Sequence, residues 1–362
     1  MAVNKKLQGV VQAGRAAALV LAILSAVSYM ITLLLGPVLF FTTSDGLTEA
    51  ANHLHTLPVE IFMLGTIDIP IPTGLSHGAL FMGIIILFVV CIGIAAVTNG
   101  GFLKSIRESL SKPISVAKTN FLYIMPLVAT GLLYATILIS EFQTTQGIQT
   151  GNLNFPPQTN PYLILLNLAY APLDEEFAFR ITTIGIPLAL FLLISYRSDP
   201  RLKGAKNRVG LLLLTLFSPE LAKSRLGQKT VAANGLIHGI SLLEWALIVL
   251  SSVVFGAAHY LSGGGWQIGK VSTAALAGFV FAIMYVSYGA YADILLHWFF
   301  DYYFTVLDMA STAYGGAFNA FANVVEFANL SAGVIVLVVF LLVSALRIGD
   351  YLTLRAVGGT KS

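Results

Sequence analysis

Long, uninterrupted apolar blocks are the feature that most restricts what this chain can fold into. A helix of about 18 or more apolar residues spans the hydrocarbon core of a bilayer. Helices suit this environment because lipid offers the backbone no hydrogen-bond partners. The sequence therefore predicts an all-α, polytopic helical membrane protein with about eight transmembrane helices, near residues 16–41, 76–98, 120–140, 161–197, 240–259, 270–288, 291–310 and 328–349.

The charge content leads to the same class of protein. Charged residues make up 10% of the chain and hydrophobic residues 57%, whereas a soluble domain carries about 25% charged residues. This composition excludes a soluble enzyme, a disordered chain and a nucleic-acid-binding protein. The single cysteine, Cys91, lies inside an apolar block, so the sequence predicts neither a disulfide framework nor a cysteine-based zinc site.

The basic residues predict the orientation of these spans. In an eight-span arrangement, 18 of the 20 Lys and Arg residues fall on one side of the membrane. The exceptions are Lys270, on the opposite side, and Arg180, within a span. Because basic residues concentrate in cytoplasmic segments, we expect a multi-pass protein of the cell membrane with both termini in the cytoplasm.

The fourth apolar block is too long for one simple crossing. Pro172 suits the first turn of a new helix, so the sequence predicts a short apolar piece over 161–171 and a true span over 173–197. After it, we expect the apolar run Val209–Phe217, which is too short to span, to lie at the membrane interface, and Ser218-Pro219-Glu220 to open a short amphipathic helix. The predicted regions are an N-terminal two-span region (1–119), a catalytic core (120–310, with a cytoplasmic insertion at 198–239), and a C-terminal span and tail (311–362).

Three ionisable residues stand together in the fourth span. An ionisable side chain at mid-bilayer costs about 2.5–3.5 kcal/mol on insertion scales. The presence of each of these residues in a span therefore requires an explanation. Glu176 and Arg180 are four residues apart and share a helix face, whereas Glu175 points about 100° away and is left for another helix or for water. An acidic first turn at the membrane surface is the alternative explanation, and Arg180, one turn deeper, favours a buried pair.

Two later spans carry histidines in apolar surroundings. The fifth ends in Phe255-Gly256-Ala257-Ala258-His259, and the seventh contains His297-Trp298-Phe299-Phe300-Asp301. His297 and Asp301 are four residues apart and therefore project from one helix face. A lone histidine in an apolar helix is more often a packing residue than a catalyst. Two histidines on separate spans, combined with the acidic cluster, favour a functional site.

At these residues the sequence resembles the CAAX protease and bacteriocin-processing family of intramembrane endopeptidases, which includes the Ras-converting CAAX endopeptidases. The family motifs are E-E-x-x-x-R, F-x-x-x-H and H-x-x-x-N (or D). Here they read Glu175-Glu176-x-x-x-Arg180, Phe255-x-x-x-His259 and His297-x-x-x-Asp301. All three occur in order, each in an apolar helix, and the resemblance covers roughly residues 120–310.

The resemblance implies an all-helical endopeptidase in which Glu175 activates the hydrolytic water and His259 helps to hold it. It further implies that Glu176 and Arg180 orient the site. A carboxylate base in a cavity of low dielectric can activate water without a metal. We therefore expect no cofactor. The expected partners are membrane lipid and a hydrophobic or prenylated peptide or protein substrate, possibly the C-terminal tripeptide of a prenylated CAAX protein.

The last motif leaves one role open. The resemblance implies that His297 and residue 301 stabilise the oxyanion. An ionised Asp301 accepts hydrogen bonds but cannot donate one, so Asp301 must either be protonated or orient His297.

Two other functions remain open from the residues alone. One is a zinc-dependent protease with His259, His297 and Glu175 as ligands, since three ligands and a water form a normal catalytic zinc site, although H-E-x-x-H is absent from the sequence. The other is a proton-coupled transporter, because intramembrane Glu, His and Arg also mark ion pathways. Transporters usually show two related halves, and no internal repeat is evident in this sequence.

Overall fold

The computed structural model describes residues 2–62, 66–109, 111, 118–262 and 264–358; Lys112 and Lys361, two of the orienting basic residues, lie outside them. The described chain is mostly helical. The first half contains α1 (Ala2–Thr42), α2 (Ser44–Ala51), α3 (His77–Val97), α4 (Phe102–Ser109), α5 (Phe121–Thr145), α6 (Pro161–Glu176) and α7 (Ile186–Ser195). The second half contains α8 (Ala205–Phe217), α9 (Pro219–Arg225), α10 (Val231–Gly239), α11 (Leu242–Leu261), α12 (Ile268–Tyr288), α13 (Ala290–Trp298), α14 (Phe304–Tyr314) and α15 (Gly316–Gly358).

Seven helical segments of the described chain are long and apolar enough to cross a membrane: Gly14–Thr42, His77–Val97, Phe121–Thr145, Pro161–Ser195, Leu242–Leu261, Ile268–Tyr288 and Gly316–Leu342. Each corresponds to a predicted span. The predicted span 291–310 is not among the seven, although it is helical from α13 to α14. The polytopic, all-α membrane fold is confirmed, and the orientation of the termini stays a prediction.

The fourth span differs from the prediction. The predicted break at Pro172 is wrong, because α6 runs through this residue to Glu176. A nine-residue π-helical segment, Phe177–Gly185, then continues into α7. Asn160 caps the start of α6 by accepting a hydrogen bond from the Tyr162 N–H. The helix tolerates Pro172 in its interior because packed neighbours and local π geometry can satisfy the freed backbone groups in a membrane protein.

An aromatic core fixes the helix that carries His297. Trp298, the next residue, is fully buried, and its ring meets Tyr29 of α1 edge-on at 5.7 Å between centroids. Tyr302, one turn further on, stacks on Trp298 at 5.6 Å. Gly36 of α1 leaves room for this ring, since a Cβ at Gly36 would collide with the Tyr302 hydroxyl. Large buried rings restrict both the rotation and the depth of a helix, so this packing sets where His297 points.

The region 198–239 folds as the short helices α8, α9 and α10. The helix predicted after Ser218 is present as α9, and the run Val209–Phe217 lies in α8. The Tyr285 hydroxyl of α12 donates to the Leu216 carbonyl at 2.7 Å. Lys223 of α9 pairs with Glu244 of α11 at 2.9 Å in a buried position. These contacts join the region to the membrane helices.

A two-stranded antiparallel hairpin, β1 (Thr56–Phe62) and β2 (Thr66–Pro72), was not predicted. Its sequence signal is the alternation of isoleucine and other residues over 66–72, which is typical of a strand. The hairpin is attached to α6. The Glu60 N–H donates to Asp174 Oδ1 at 2.9 Å, and the Tyr170 hydroxyl donates to the Pro58 carbonyl at 2.6 Å. The hairpin therefore contacts the residue next to Glu175.

Candidate active site

Three separate helical segments bring the predicted site residues together. Glu175 and Glu176 end α6, and Arg180 follows in the π-helical segment. His259 lies in the last turn of α11. His297 lies in the last turn of α13, and Asp301 follows in a second π-helical segment, Phe299–Tyr303.

His297 forms the link between the first and third segments. Its Nδ1 lies 2.8 Å from Glu176 Oε1, and its Nε2 lies 3.1 Å from Asp301 Oδ2. A histidine with a carboxylate at each ring nitrogen is suited to the imidazolium form, which donates from both. The side chain is almost completely buried. His297 is therefore a fixed positive centre between two acids.

Glu176 and Arg180 form the buried pair that the sequence predicts. Arg180 Nε lies 2.9 Å from Glu176 Oε2, and both side chains are 0% exposed. The guanidinium stacks over the Phe255 ring at 4.5 Å from its centroid. A cation over an aromatic face is stabilised by about 2 kcal/mol when desolvated. This contact gives the phenylalanine of the F-x-x-x-H motif a physical role, since it covers the arginine.

Asp293 belongs to the same cluster and was not among the predicted site residues. It is completely buried on α13, and its charge interacts with those of Glu176 and Arg180. Two buried carboxylates side by side need a shared proton or a cation to offset their repulsion. The available sequence signal was the spacing of Asp293, His297 and Asp301, which places all three on one face of an ideal α-helix.

Glu175 stands apart from the Glu176 pair, as its rotation along the helix predicts. Its Oε2 lies 3.8 Å from His297 Nε2, and its side chain is 26% exposed. Glu175 Oε2 has no hydrogen-bond partner among the described residues. The carboxylate is thus held near a positive centre while one of its oxygens makes no hydrogen bond to the protein. That oxygen is buried, and it keeps an acceptor position for a water molecule that enters the site.

A cavity of about 270 Å³ lies beside these residues. His259, His297 and Asp301 line it, together with Lys270 of α12 and Glu141 of α5, neither of which was a predicted site residue. Glu175 is not among the lining residues. It lies next to the cavity, 3.8 Å from the lining residue His297.

The second histidine reaches the cavity from α11. His259 Nδ1 lies 2.9 Å from the Phe255 carbonyl, which leaves Nε2 as the ring nitrogen not engaged by this bond. Gly256 explains how α11 comes so close to α12, because a Cβ there would collide with the Val271 carbonyl. The small residue at 256 therefore lets α11 and α12 approach closely beside His259.

Both π-helical segments coincide with the site. A π turn inserts one extra residue into an α-helix and shifts the faces of the residues around it, and such turns occur frequently at functional sites. One segment begins directly after Glu176 and contains Arg180, and the other contains Asp301. Helical spacing alone does not give these shifts. An ideal helix therefore only approximates how Arg180 pairs with Glu176 and how Asp301 pairs with His297.

The donor set does not fit a zinc ion. Among the described residues, no group of three or more His, Cys, Asp or Glu side chains is arranged to hold a metal ion. Each ring nitrogen of His297 already faces a carboxylate, whereas a zinc ligand needs a nitrogen lone pair directed at the metal. The set His259, His297 and Glu175 therefore lacks the geometry of a catalytic zinc centre.

Comparison with known families supports the class of protein that this fold and site define. Residues 157–303 match the family model described as type II CAAX prenyl endopeptidase, Rce1-like. The matched segment contains all seven motif residues, and the resemblance to the CAAX protease and bacteriocin-processing family is confirmed. No curated protein and no solved structure matches the chain.

The fold is that of a multi-pass helical membrane protein, and its segment 157–303 is similar to membrane proteases of the CAAX type. Within that class, the particular relationship is to the Rce1-like type II CAAX prenyl endopeptidases, over the segment from 157 to 303.

Proposed function

We propose that this protein is a glutamate-dependent intramembrane endopeptidase and that Glu175 is its general base. The observation that carries the proposal is that two helical segments meet at His297, while Phe255 of α11 lies edge-on to its ring at 5.9 Å between centroids. His297 pairs with Glu176 and Asp301 and lies 3.8 Å from Glu175. Ionisable residues are costly in a membrane and persist where function requires them.

In the proposed reaction, Glu175 takes a proton from water while the water oxygen attacks the scissile carbonyl carbon. The tetrahedral intermediate then collapses, the C–N bond breaks, and the proton held by Glu175 passes to the leaving nitrogen. His259, through Nε2, orients the water. Glu176 and Arg180 fix His297, and His297 with Asp301 keeps the site polar beside Glu175.

The proposed substrate is a membrane-associated hydrophobic or prenylated peptide or protein, such as a prenylated protein with a C-terminal CAAX sequence. The cavity supports this class because aromatic and aliphatic side chains line it beside the charged groups, among them Ile137, Phe255, Phe281 and Phe300. We also propose that the protein resides in the cell membrane with both termini in the cytoplasm, which reporter fusions at each terminus would test.

The test is hydrolysis of a farnesylated CAAX reporter peptide by purified protein in detergent or vesicles. Glu175→Gln preserves shape and removes the base, and we expect it to lower kcat by at least about a hundredfold. Glu326→Gln, an exposed carboxylate on α15, is the matched control and should cleave at the wild-type rate. Equal rates for wild type and Glu175→Gln would overturn the assignment. Absence of cleavage by the wild type would instead favour a transporter or another substrate class.

We further propose that hydrolysis requires no metal. Because the donor set lacks a zinc geometry, dialysis against a chelator should leave kcat within about twofold of its starting value. Elemental analysis of the dialysed protein must accompany the assay. Loss of activity on dialysis that returns when zinc is added would contradict this proposal.

A further inference from the structure

The ammonium group of Lys270 has no role in the chemistry described so far. Lys270 lines the cavity together with His259, His297 and Asp301. Its Nζ lies 3.9 Å from the centroid of the Trp266 ring, which holds it by a cation–π contact. Among the described residues, no carboxylate oxygen lies within salt-bridge distance of Nζ.

The position of Lys270 is unfavourable on two physical grounds. The sequence predicts that it lies on the opposite side of the membrane from 18 of the 20 basic residues, against the usual distribution. It also occupies the first turn of α12, where the helix dipole disfavours a cation. A residue that breaks two local rules without an ion-pair partner is expected at a functional site.

Amide hydrolysis needs a hydrogen-bond donor for the oxyanion of the tetrahedral intermediate, and the histidines do not supply a free one. Both ring nitrogens of His297 face carboxylates, those of Glu176 and Asp301. His259 Nδ1 is engaged by the Phe255 carbonyl. A neutral imidazole carries one N–H, so Nε2 of His259 is then an acceptor.

Two other donors near the cavity, the Arg180 guanidinium and the Thr273 hydroxyl, are inaccessible or engaged. Arg180 is 0% exposed and pairs with Glu176. The Thr273 hydroxyl donates to the carbonyl of Lys270 on its own helix. Among the described residues that line the cavity, Lys270 is therefore a cationic donor that forms no ion pair with a carboxylate.

Lys270 also lies within electrostatic range of the reacting groups, since its charge interacts with those of Asp301 and Glu175. A cation in this place attracts an oxygen that becomes negative during the reaction. The same attraction stabilises ionised Glu175, which must accept the proton from water.

We propose that Lys270 is a catalytic residue whose ammonium group stabilises the oxyanion of the tetrahedral intermediate, in the reaction proposed above. When the water oxygen bonds to the carbonyl carbon and Glu175 takes its proton, the π electrons of the carbonyl move to its oxygen. A Lys270 N–H donates to that oxygen. The C=O bond then re-forms as the C–N bond breaks, and Glu175 returns the proton to the nitrogen. The inference rests on the proposed proteolytic function.

The first experiment compares Lys270→Met, Lys270→Gln and Lys270→Arg with wild type on the farnesylated reporter peptide. Loss of the oxyanion donor should lower kcat of the Met variant by about 10²–10³-fold, with KM within about threefold. Gln keeps an uncharged N–H donor, so its loss of kcat should be smaller. Arg retains a cation and should recover at least about a tenth of the wild-type rate. Lys229→Met, at an exposed lysine outside the cavity, is the matched control and should retain the wild-type kcat.

The second experiment distinguishes an oxyanion from a substrate carboxylate as the group that Lys270 binds. The same peptide is assayed as the free C-terminal acid and as the C-terminal amide. Oxyanion stabilisation predicts the same fold-loss of kcat for Lys270→Gln on both peptides. A loss confined to KM of the acid would overturn the proposal and assign Lys270 to binding of the C-terminal carboxylate.

Controls keep the two proposals separable. Thermal unfolding of each variant in detergent shows whether it is folded, and Lys270→Leu, which also lacks a donor, serves if Lys270→Met unfolds. Activity of the folded donor-free variant within threefold of wild type, while Glu175→Gln is inactive, overturns the role of Lys270 alone. Equal activity of Glu175→Gln and wild type overturns the proposed function itself.

Discussion

Two buried ion pairs in this protein, Lys223–Glu244 and Glu176–Arg180, each join a glutamate to a basic side chain. They differ in how many hydrogen bonds the basic side chain makes. Lys223 uses all three of its N–H groups, two for Glu244 at 2.9 Å each and one for the Gly239 carbonyl at 2.6 Å. Glu244 also accepts a hydrogen bond from the Ser241 N–H and completes the capping box that begins α11. Every strong donor of this pair has a partner.

The pair Glu176–Arg180 is built differently. Arg180 Nε lies close to Glu176, but none of the three guanidinium nitrogens meets hydrogen-bond geometry with a described residue. The two carboxylate oxygens of Asp293 also meet no donor there at strict hydrogen-bond geometry, although Asp293 interacts with Glu176. Buried polar groups are normally satisfied, and exceptions indicate strain or function. The comparison assigns Lys223–Glu244 to the stability of the fold, and it agrees with the proposed role of the Glu176–Arg180 cluster in the chemistry beside it.

The largest expected effect is that of Arg180→Met. It leaves Glu176 and Asp293 buried without their cation, and breaking a buried pair costs about 3–5 kcal/mol. Glu176, the partner of His297, is then no longer held in place by Arg180. We therefore expect both a lower unfolding midpoint and a loss of peptide hydrolysis. Thermal unfolding and the reporter assay measure the two effects. A variant that retains wild-type kcat would show that the arginine is only structural.

Lys223→Met should have a comparable effect on stability and little effect on catalysis. The uncompensated Glu244 carboxylate costs about 3–5 kcal/mol of unfolding free energy, while the cavity residues keep their contacts. The measurement is kcat per folded molecule at a temperature below the unfolding midpoint. If kcat of the fully folded variant falls by more than about tenfold, the Lys223–Glu244 pair also contributes to catalysis and the two pairs do not differ in function.

Double variants sharpen the same comparison. Lys223→Met with Glu244→Gln removes both charges and keeps an oxygen that can accept from Ser241, so most of the lost stability should return. Glu176→Gln with Arg180→Met should also recover stability but remain inactive. Recovery of hydrolysis in the second double variant would mean that the charges of this pair are dispensable.

The smallest expected effect is that of Tyr170→Phe, which removes one hydrogen bond between α6 and the β hairpin. One such bond contributes about 1 kcal/mol, so the unfolding midpoint should change little. Because the hairpin also contacts Asp174, next to Glu175, we expect a modest rise in KM with kcat within about threefold. An unchanged KM would show that the hairpin does not contribute to substrate binding.

Much of the fold could be predicted because lipid enforces it. A backbone in hydrocarbon must satisfy its own hydrogen bonds, so apolar block length alone predicted seven segments that the structure has. The break at Pro172 could not be excluded in advance, since proline ends most helices in water. The strands β1 and β2 lie outside the apolar blocks, and their sequences show only a weak alternation of apolar and other residues.

The sequence by itself determined which ionisable residues stand in apolar helices, because their cost in a membrane makes them conspicuous. Glu175, Glu176, Arg180, His259, His297 and Asp301 were all found this way. The tertiary structure alone decided what each side chain faces. Which oxygen meets which nitrogen depends on π-helical turns and on packing between helices distant in sequence, so the burial of Asp293 and the unpaired Lys270 became visible only after the helices were assembled.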